Sequence, residues 1–259
     1  MAKGVLNVQV LGQGPDIVLL HSLLTDRSSF EPLAGRLADQ RRVSLVDLPG
    51  FGRSAPAEPL AGYADRVADY CAGLGQSEKP DIIGNGLGSF VALTLAVRHG
   101  MRGGRLVLLG CAIAFPEPGR ATFRGLADKV ERDGMASVAD IAMARMFSED
   151  FIAANPKIVA ERKEIFLRID PAAFAAAARA LATLDLSADL KSIRNPVLIV
   201  TGEKDGATPP ALGRALAESL PDGKFAELKG VGHAPHIEAL DLTLATVAPF
   251  LGLSEAAQG

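Results

Sequence analysis

Apolar runs of four to seven residues, each closed by turn formers, alternate with segments of helical periodicity over residues 1–113. "DIVLL" (16–20), "RVSLVDL" (42–48), "KPDIIG" (79–84) and "RLVLLG" (105–110) read as strands buried on both faces. "NPVLIVTG" (195–202) and "KFAELKG" (224–230) repeat the pattern much later. Between the first four lie helices. "SSFEPLAGRLAD" (28–39) is expected to start from Ser28 as N-cap, with Leu33 and Leu37 on one face. "YADRVADYCAGL" (63–74) gathers Val67, Tyr70, Cys71 and Leu74. "SFVALTLAVRHG" (89–100) is apolar nearly all round and stops at Gly100, as a buried helix with a glycine C-cap does.

From 114 to 190 the strand signal disappears and the periodicity is helical throughout. The last of these helices begins with Asp170 as N-cap and Pro171 at the first position. Strands alternating with helices predict a mostly parallel, doubly wound α/β sheet. The helical block predicts a cap at 114–190 over a core formed by 1–113 and 191–259, placed at the carboxyl edge where ligands bind in such sheets.

Composition narrows the classes of function. The net charge of −3 comes without a basic run, so there is no electrostatic footprint for nucleic acid or an anionic membrane. Two cysteines among 259 residues make neither a disulfide framework nor a metal cluster. No 18-residue uncharged apolar stretch predicts a membrane span, and the N-terminus lacks the apolar core of a signal peptide. A cytoplasmic protein with a small-molecule substrate is therefore expected, and the abundance of Ala, Arg and Gly suggests a bacterial gene. A homodimer is an expectation on which no residue pattern bears.

The chemistry concentrates in "DIIGNGLGSF" (81–90), where a strand passes through glycines into a helix. A dinucleotide-binding loop would need an acidic residue some 20 positions on for the ribose, yet residues 82–116 contain no Asp or Glu. A nucleophile elbow, G-x-S-x-G, fits better: Gly84 and Gly88 frame the turn, Asn85 and Leu87 fill the variable positions, and Gly86 stands where the serine would. Its partners must follow in the order acid, then histidine. Asp205 follows the fifth predicted strand in "TGEKDGATPP", and His233 follows the sixth in "GVGHAPHIEAL". His21 and Ser22 directly follow the first strand in "LLHSLLTD". Cys111, ending the fourth, is expected with His21, Ser22 and Asn85 to line the pocket; a reactive thiol there would need a depressed pKa. His99 suits a helix C-terminus, and His236 is expected to face solvent at the pocket rim.

"VLLHSLLTDRSSFEPLAGRL", "VDLPGFGRS", "GEKDGATPP" and "GVGHAPHIEAL" resemble the ordered landmarks of the α/β-hydrolase superfamily, nearly end to end. "ARMFSEDFIAANP" and "DGATPPALGRALAESLP" are most similar to the 3-oxoadipate enol-lactonase group. The resemblance implies hydrolysis of a small lactone or ester by a Ser–Asp–His triad without a cofactor. It implies Asp205 as acid, His233 as base, and the backbone N–H groups of Leu23 and Leu87 as oxyanion hole. Gly86 departs from it. Glycine relieves elbow strain of about 1–3 kcal/mol and forbids an acyl-enzyme at this position. It also predicts room for about one water beside His233, roughly 30 Å³. Three readings stay open: a nucleophile-free enzyme in which His233 and Asp205 activate water, a non-catalytic binding module, and a serine hydrolase with an engineered glycine. If the ligand carries carboxylates, Arg120, Arg124 and Arg145 of the cap are candidates to pair with them.

Overall fold

Parallel strands need apolar cover on both faces, and the alternation within each run supplies it. The computed structural model describes residues 5–56, 59–75, 79–100 and 104–254. Its strands are β1 (Val8–Leu11), β2 (Asp16–Leu20), β3 (Arg42–Val46), β4 (Asp81–Asn85), β5 (Leu106–Leu109), β6 (Val197–Gly202) and β7 (Gly223–Leu228). They form one sheet in the order β1-β3-β2-β4-β5-β6-β7, parallel except for β1, which pairs antiparallel with β3. Within β2, Ile17 and Leu19 enter the hydrophobic cluster on one face, while Val18 and Leu20 enter the cluster on the other. The six expected strands are all present. β1 is not expected from the pattern, because this edge strand is half-buried and shows no clean alternation.

Helices α1 (Glu31–Leu37), α2 (Leu60–Ala72) and α3 (Leu87–His99) connect the first strands. Ser28 is not the N-cap expected. A short 3₁₀ turn, Arg27–Phe30, precedes α1, and the Asp26 carboxylate accepts from the Ser28 backbone N–H because an aspartate two residues upstream reaches it better. α3 is buried from Leu87 to Ala96 and ends at Gly100 in the left-handed conformation.

Between β5 and β6 the chain is helical: α4 (Glu117–Asp133), α5 (Ala139–Met146), α6 (Glu149–Ala154), α7 (Pro156–Leu167) and α8 (Pro171–Thr183). Asp170 caps α8 by accepting from Ala173 N–H at 2.9 Å. Phe123, Leu126, Met143 and Leu181 of this helical block belong to the same apolar cluster as Leu20, Phe90 and Leu108 of the sheet and α3. The helical block is thus packed onto the sheet by a continuous core. α9 (Pro210–Ser219), α10 (Pro235–Glu238) and α11 (Leu240–Leu251) complete the chain. The outer limits of the expected core, 1–4 and 255–259, lie outside the described residues. No helix among the described residues is long and apolar enough to cross a membrane.

Candidate active site

The parallel register aligns Leu20 with Gly84 and Asn85 with Leu109, so the loops after β2, β4 and β5 emerge side by side. Gly86, between β4 and α3, has φ +49° and ψ −113°, an elbow conformation that glycine adopts without strain. The turn is pinned from three sides. Gly86 N–H donates to Leu109 O at 3.0 Å, Gly88 N–H to His21 O at 3.0 Å, and the Asn85 side-chain amide to Leu109 O and His233 O at 3.0 and 2.9 Å.

Asp205 and His233 meet across the edge of the sheet. His233 Nδ1 lies 2.8 Å from Asp205 Oδ2 and donates to it. Both residues are buried, at 4% and 3% exposure. The carboxylate is fully satisfied. Oδ1 accepts from the N–H groups of Ala207 and Thr208, both at 2.8 Å, and Oδ2 also accepts from the Thr208 hydroxyl at 2.8 Å. Burial pushes the Asp205 pKa up, but the His233 charge and hydrogen bond and the Thr208 donors outweigh it, and the net direction is down. A carboxylate fixed on Nδ1 holds the proton there and leaves the lone pair on Nε2. That nitrogen points at the elbow: a Cβ placed on Gly86 would stand 2.8 Å from His233 Nε2 and 2.8 Å from Ser22 Oγ.

Beside His233 and Gly86 lies a narrow cavity of about 30 Å³. Ser22, Leu23, Gly86, Leu87, Thr208 and His233 line it together with Phe90, Phe115, Phe123, Leu126 and Leu181. Neither Leu23 nor Leu87 N–H meets an acceptor among the described residues. Leu87 opens α3, where the first N–H groups have no partner within the helix and the dipole favours negative charge.

The profile of the Alpha/beta hydrolase family matches residues 17–246, a span that holds Gly86, Asp205 and His233. The chain belongs to that family. A pimeloyl-[acyl-carrier protein] methyl ester esterase of Chromobacterium violaceum is 32% identical over 237 residues, covering 89% of this chain and 91% of the esterase. The 3-oxoadipate enol-lactonase 1 of Acinetobacter baylyi is 29% identical, covering 90% of this chain and 88% of the lactonase. Among solved structures, the enol-lactonase of Burkholderia xenovorans superposes with a TM-score of 0.90 at 28% identity, covering 97% of this chain and 98% of that one.

Within this alpha/beta hydrolase, three residues expected in the pocket stand behind its wall. The His21 ring is fully buried, donates from Nδ1 to Ser22 O at 2.8 Å and accepts from Leu48 N–H at 3.0 Å on Nε2. Both nitrogens are committed, so His21 shapes the turn at Ser22 and Leu23 rather than facing ligand. Asn85 is used up as the tie between β5 and the His233 loop. Cys111 is wholly buried, and desolvation drives its thiol pKa upward, the opposite of a nucleophile. His236 is a further correction. It is wholly buried, not at the rim, and its ring stacks on Phe30 at 4.1 Å and 19°. The apolar face of an imidazole packs like an aromatic, an arrangement that sequence position alone does not display.

Two further contributors stand outside the motifs. Thr208 holds Asp205 and lies 3.3 Å from His233 Nδ1; its signal in the sequence is the three-residue spacing of an Asp that caps its own turn. Glu238 accepts from Gly232 N–H at 2.9 Å and from the Ser148 hydroxyl, tying the His233 loop to the helical block between β5 and β6.

Proposed function

We propose that this protein hydrolyses small activated esters or lactones with His233 as general base on water. The reading rests on one observation, the His233 Nε2 lone pair turned to the elbow while Nδ1 is held by Asp205 at 2.8 Å. The names of the relatives, an ester-cleaving and a lactone-opening enzyme, support the substrate class.

In this mechanism Nε2 accepts a proton from water as the water oxygen attacks the carbonyl carbon. The carbonyl electron pair moves onto oxygen, which the Leu23 and Leu87 N–H groups receive. Collapse of the tetrahedral species expels the alkoxide or enolate, which takes the proton from His233. General-base catalysis supplies about 10²–10⁴-fold, and each oxyanion donor about 10²–10³. Rates of that size suit a good leaving group such as an enolate, and serve an unactivated alkyl ester poorly. No acyl-enzyme forms at residue 86, since glycine offers no oxygen.

The test is hydrolysis of a panel of activated esters and enol-lactones by the wild type and His233→Ala. Turnover lost in the variant is expected. Equal rates in both proteins would end the proposal, and saturable binding without turnover would make the protein a binding module.

A further inference from the structure

Of the three arginines of the helical block that are candidates to pair with a ligand carboxylate, only Arg145 lines the cavity, and the structure separates them by their partners. Arg120 donates from Nε to Phe115 O at 2.8 Å and lies 3.8 Å from an Asp185 carboxylate oxygen. Arg124 is paired with Glu117. Both are engaged. Arg145, from α5, lines the cavity and makes neither a hydrogen bond nor an ion pair among the described residues. Its one neighbour of note is the Phe123 ring, whose centroid lies 6.0 Å from the guanidinium carbon, the outer limit of a cation–π contact.

Such a placement is unfavourable unless something compensates it. Apolar side chains of the cavity such as Phe115, Leu126 and Leu181 offer a cation no hydrogen bond, and the Phe123 ring stands only at the cation–π limit. Desolvation holds the guanidinium pKa below its ordinary value, with Asp205 the opposing influence. Asp205 cannot serve as a partner, because His233, Thr208 and Ala207 already occupy both of its oxygens. A half-buried charge without a protein partner is completed by an anion that arrives with the ligand. A guanidinium offers a planar fork matched to a carboxylate, which a narrow cavity admits more readily than a larger oxyanion.

We infer that Arg145 anchors a carboxylate of the substrate, making the favoured class esters or lactones that carry a free carboxylate. This rests on the hydrolytic reading of the same site, and it adds a specificity determinant rather than a catalytic residue. Neutral esters reach the same base and the same oxyanion donors but leave the arginine unpaired.

The experiment compares 4-nitrophenyl hydrogen glutarate with the neutral 4-nitrophenyl pentanoate on wild type, Arg145→Met and Arg145→Lys. A charged hydrogen bond is worth about tenfold to a hundredfold in affinity. Arg145→Met is expected to lose that factor in kcat/KM on the anionic ester, mainly through KM, with at least tenfold less loss on the neutral one. Lysine should recover part. Equal losses on both esters, or none on the anionic ester, would overturn the assignment. If the wild type cleaves neither ester, the hydrolytic reading fails, and thermal shift with glutarate still tests the arginine. Glutarate should raise the Tm of wild type but not of Arg145→Met. No shift in wild type, or an Arg145-dependent shift with inorganic phosphate alone, would overturn a carboxylate site.

Discussion

His233 Nε2 stands 2.8 Å from the point a Cβ on Gly86 would occupy, closer than a carbon and a ring nitrogen approach one another. Residue 86 therefore meets two penalties on gaining a side chain. The backbone at φ +49° costs a non-glycine residue about 1–3 kcal/mol, and the ring or the Ser22 hydroxyl must give way. Ser22 yields by rotating. His233 is held by Asp205 and yields less.

Gly86→Ala and Gly86→Ser are accordingly both expected to lower the Tm, by roughly 3–10 °C in a chain of this length. They should diverge in activity. Only serine brings an oxygen, and it is expected to raise turnover of unactivated 4-nitrophenyl esters, whereas alanine gains nothing. Calorimetry and initial rates on the three proteins decide the matter. A serine variant as slow as the alanine variant would mean that the displaced imidazole can no longer take the proton.

The acid can be probed without touching the elbow. Asp205→Asn keeps the shape, yet its amide can donate to His233 Nδ1 and so force the proton onto Nε2, removing the base. A fall of about 10²–10⁴-fold in kcat/KM is expected. Thr208→Val removes one of four donors to the carboxylate and should cost roughly tenfold or less. A near-normal Asp205→Asn enzyme would show that the imidazole works unaided.

These residues differ in how plainly the sequence announces them. Strands β2 to β6 are legible because burial on both faces forces continuous apolar runs, β7 only as a half-buried segment with turn formers around it, and the elbow is legible because Gly84 and Gly88 bracket it. Asp205 and His233 follow from chain order alone. His236 escapes the pattern because a histidine in "HAPHIEAL" reads as polar, while its buried stacking on Phe30 depends on α10 meeting the 3₁₀ turn before α1. His21 and Cys111 belong to the pocket by proximity to a strand end and to its surroundings by orientation. Alternation within a strand and its following turn sends neighbouring side chains to different sides, and the side is fixed only by the three-dimensional course of the turn.

Burial of His236 has a thermodynamic consequence. Desolvation, with the charges of His233 and Arg162 adding to it, lowers its pKa from 6.5 to about 3. Between those pH values the unfolded chain binds a proton that the folded chain refuses, so stability present above pH 6.5 is lost as pH falls. The slope approaches about 1.4 kcal/mol per pH unit for one such group. Burial lowers the pKa of His21 as well, adding a slope of the same sign. Urea unfolding between about pH 7.5 and 5.5 should show this loss, and His236→Phe, which retains a ring against Phe30, should remove a large part of it. An unaltered slope in the variant would mean that His236 is not the proton acceptor in question.

The elbow also makes a demand independent of any nucleophile. A Cβ on Gly88 would lie 1.9 Å from Leu20 O and 2.8 Å from Leu20 Cβ, inside the backbone of β2. The clash is with main chain in the middle of the sheet, so no rotamer relieves it, and α3 would have to lift away from β2. That movement would break the bond from Gly88 N–H to His21 O and disturb the turn bearing Leu23. Gly88→Ala is therefore expected to cost on the order of 4 kcal/mol or more by overpacking and backbone displacement, the upper tail of single substitutions. Gly125→Ala, on α4 with open space around its Cβ position, should leave stability unchanged or slightly raised. Parallel denaturation of the two variants compares the same chemical change at a closed and an open site. Similar midpoints would show that α3 and β2 have room to separate at this turn without loss of the fold.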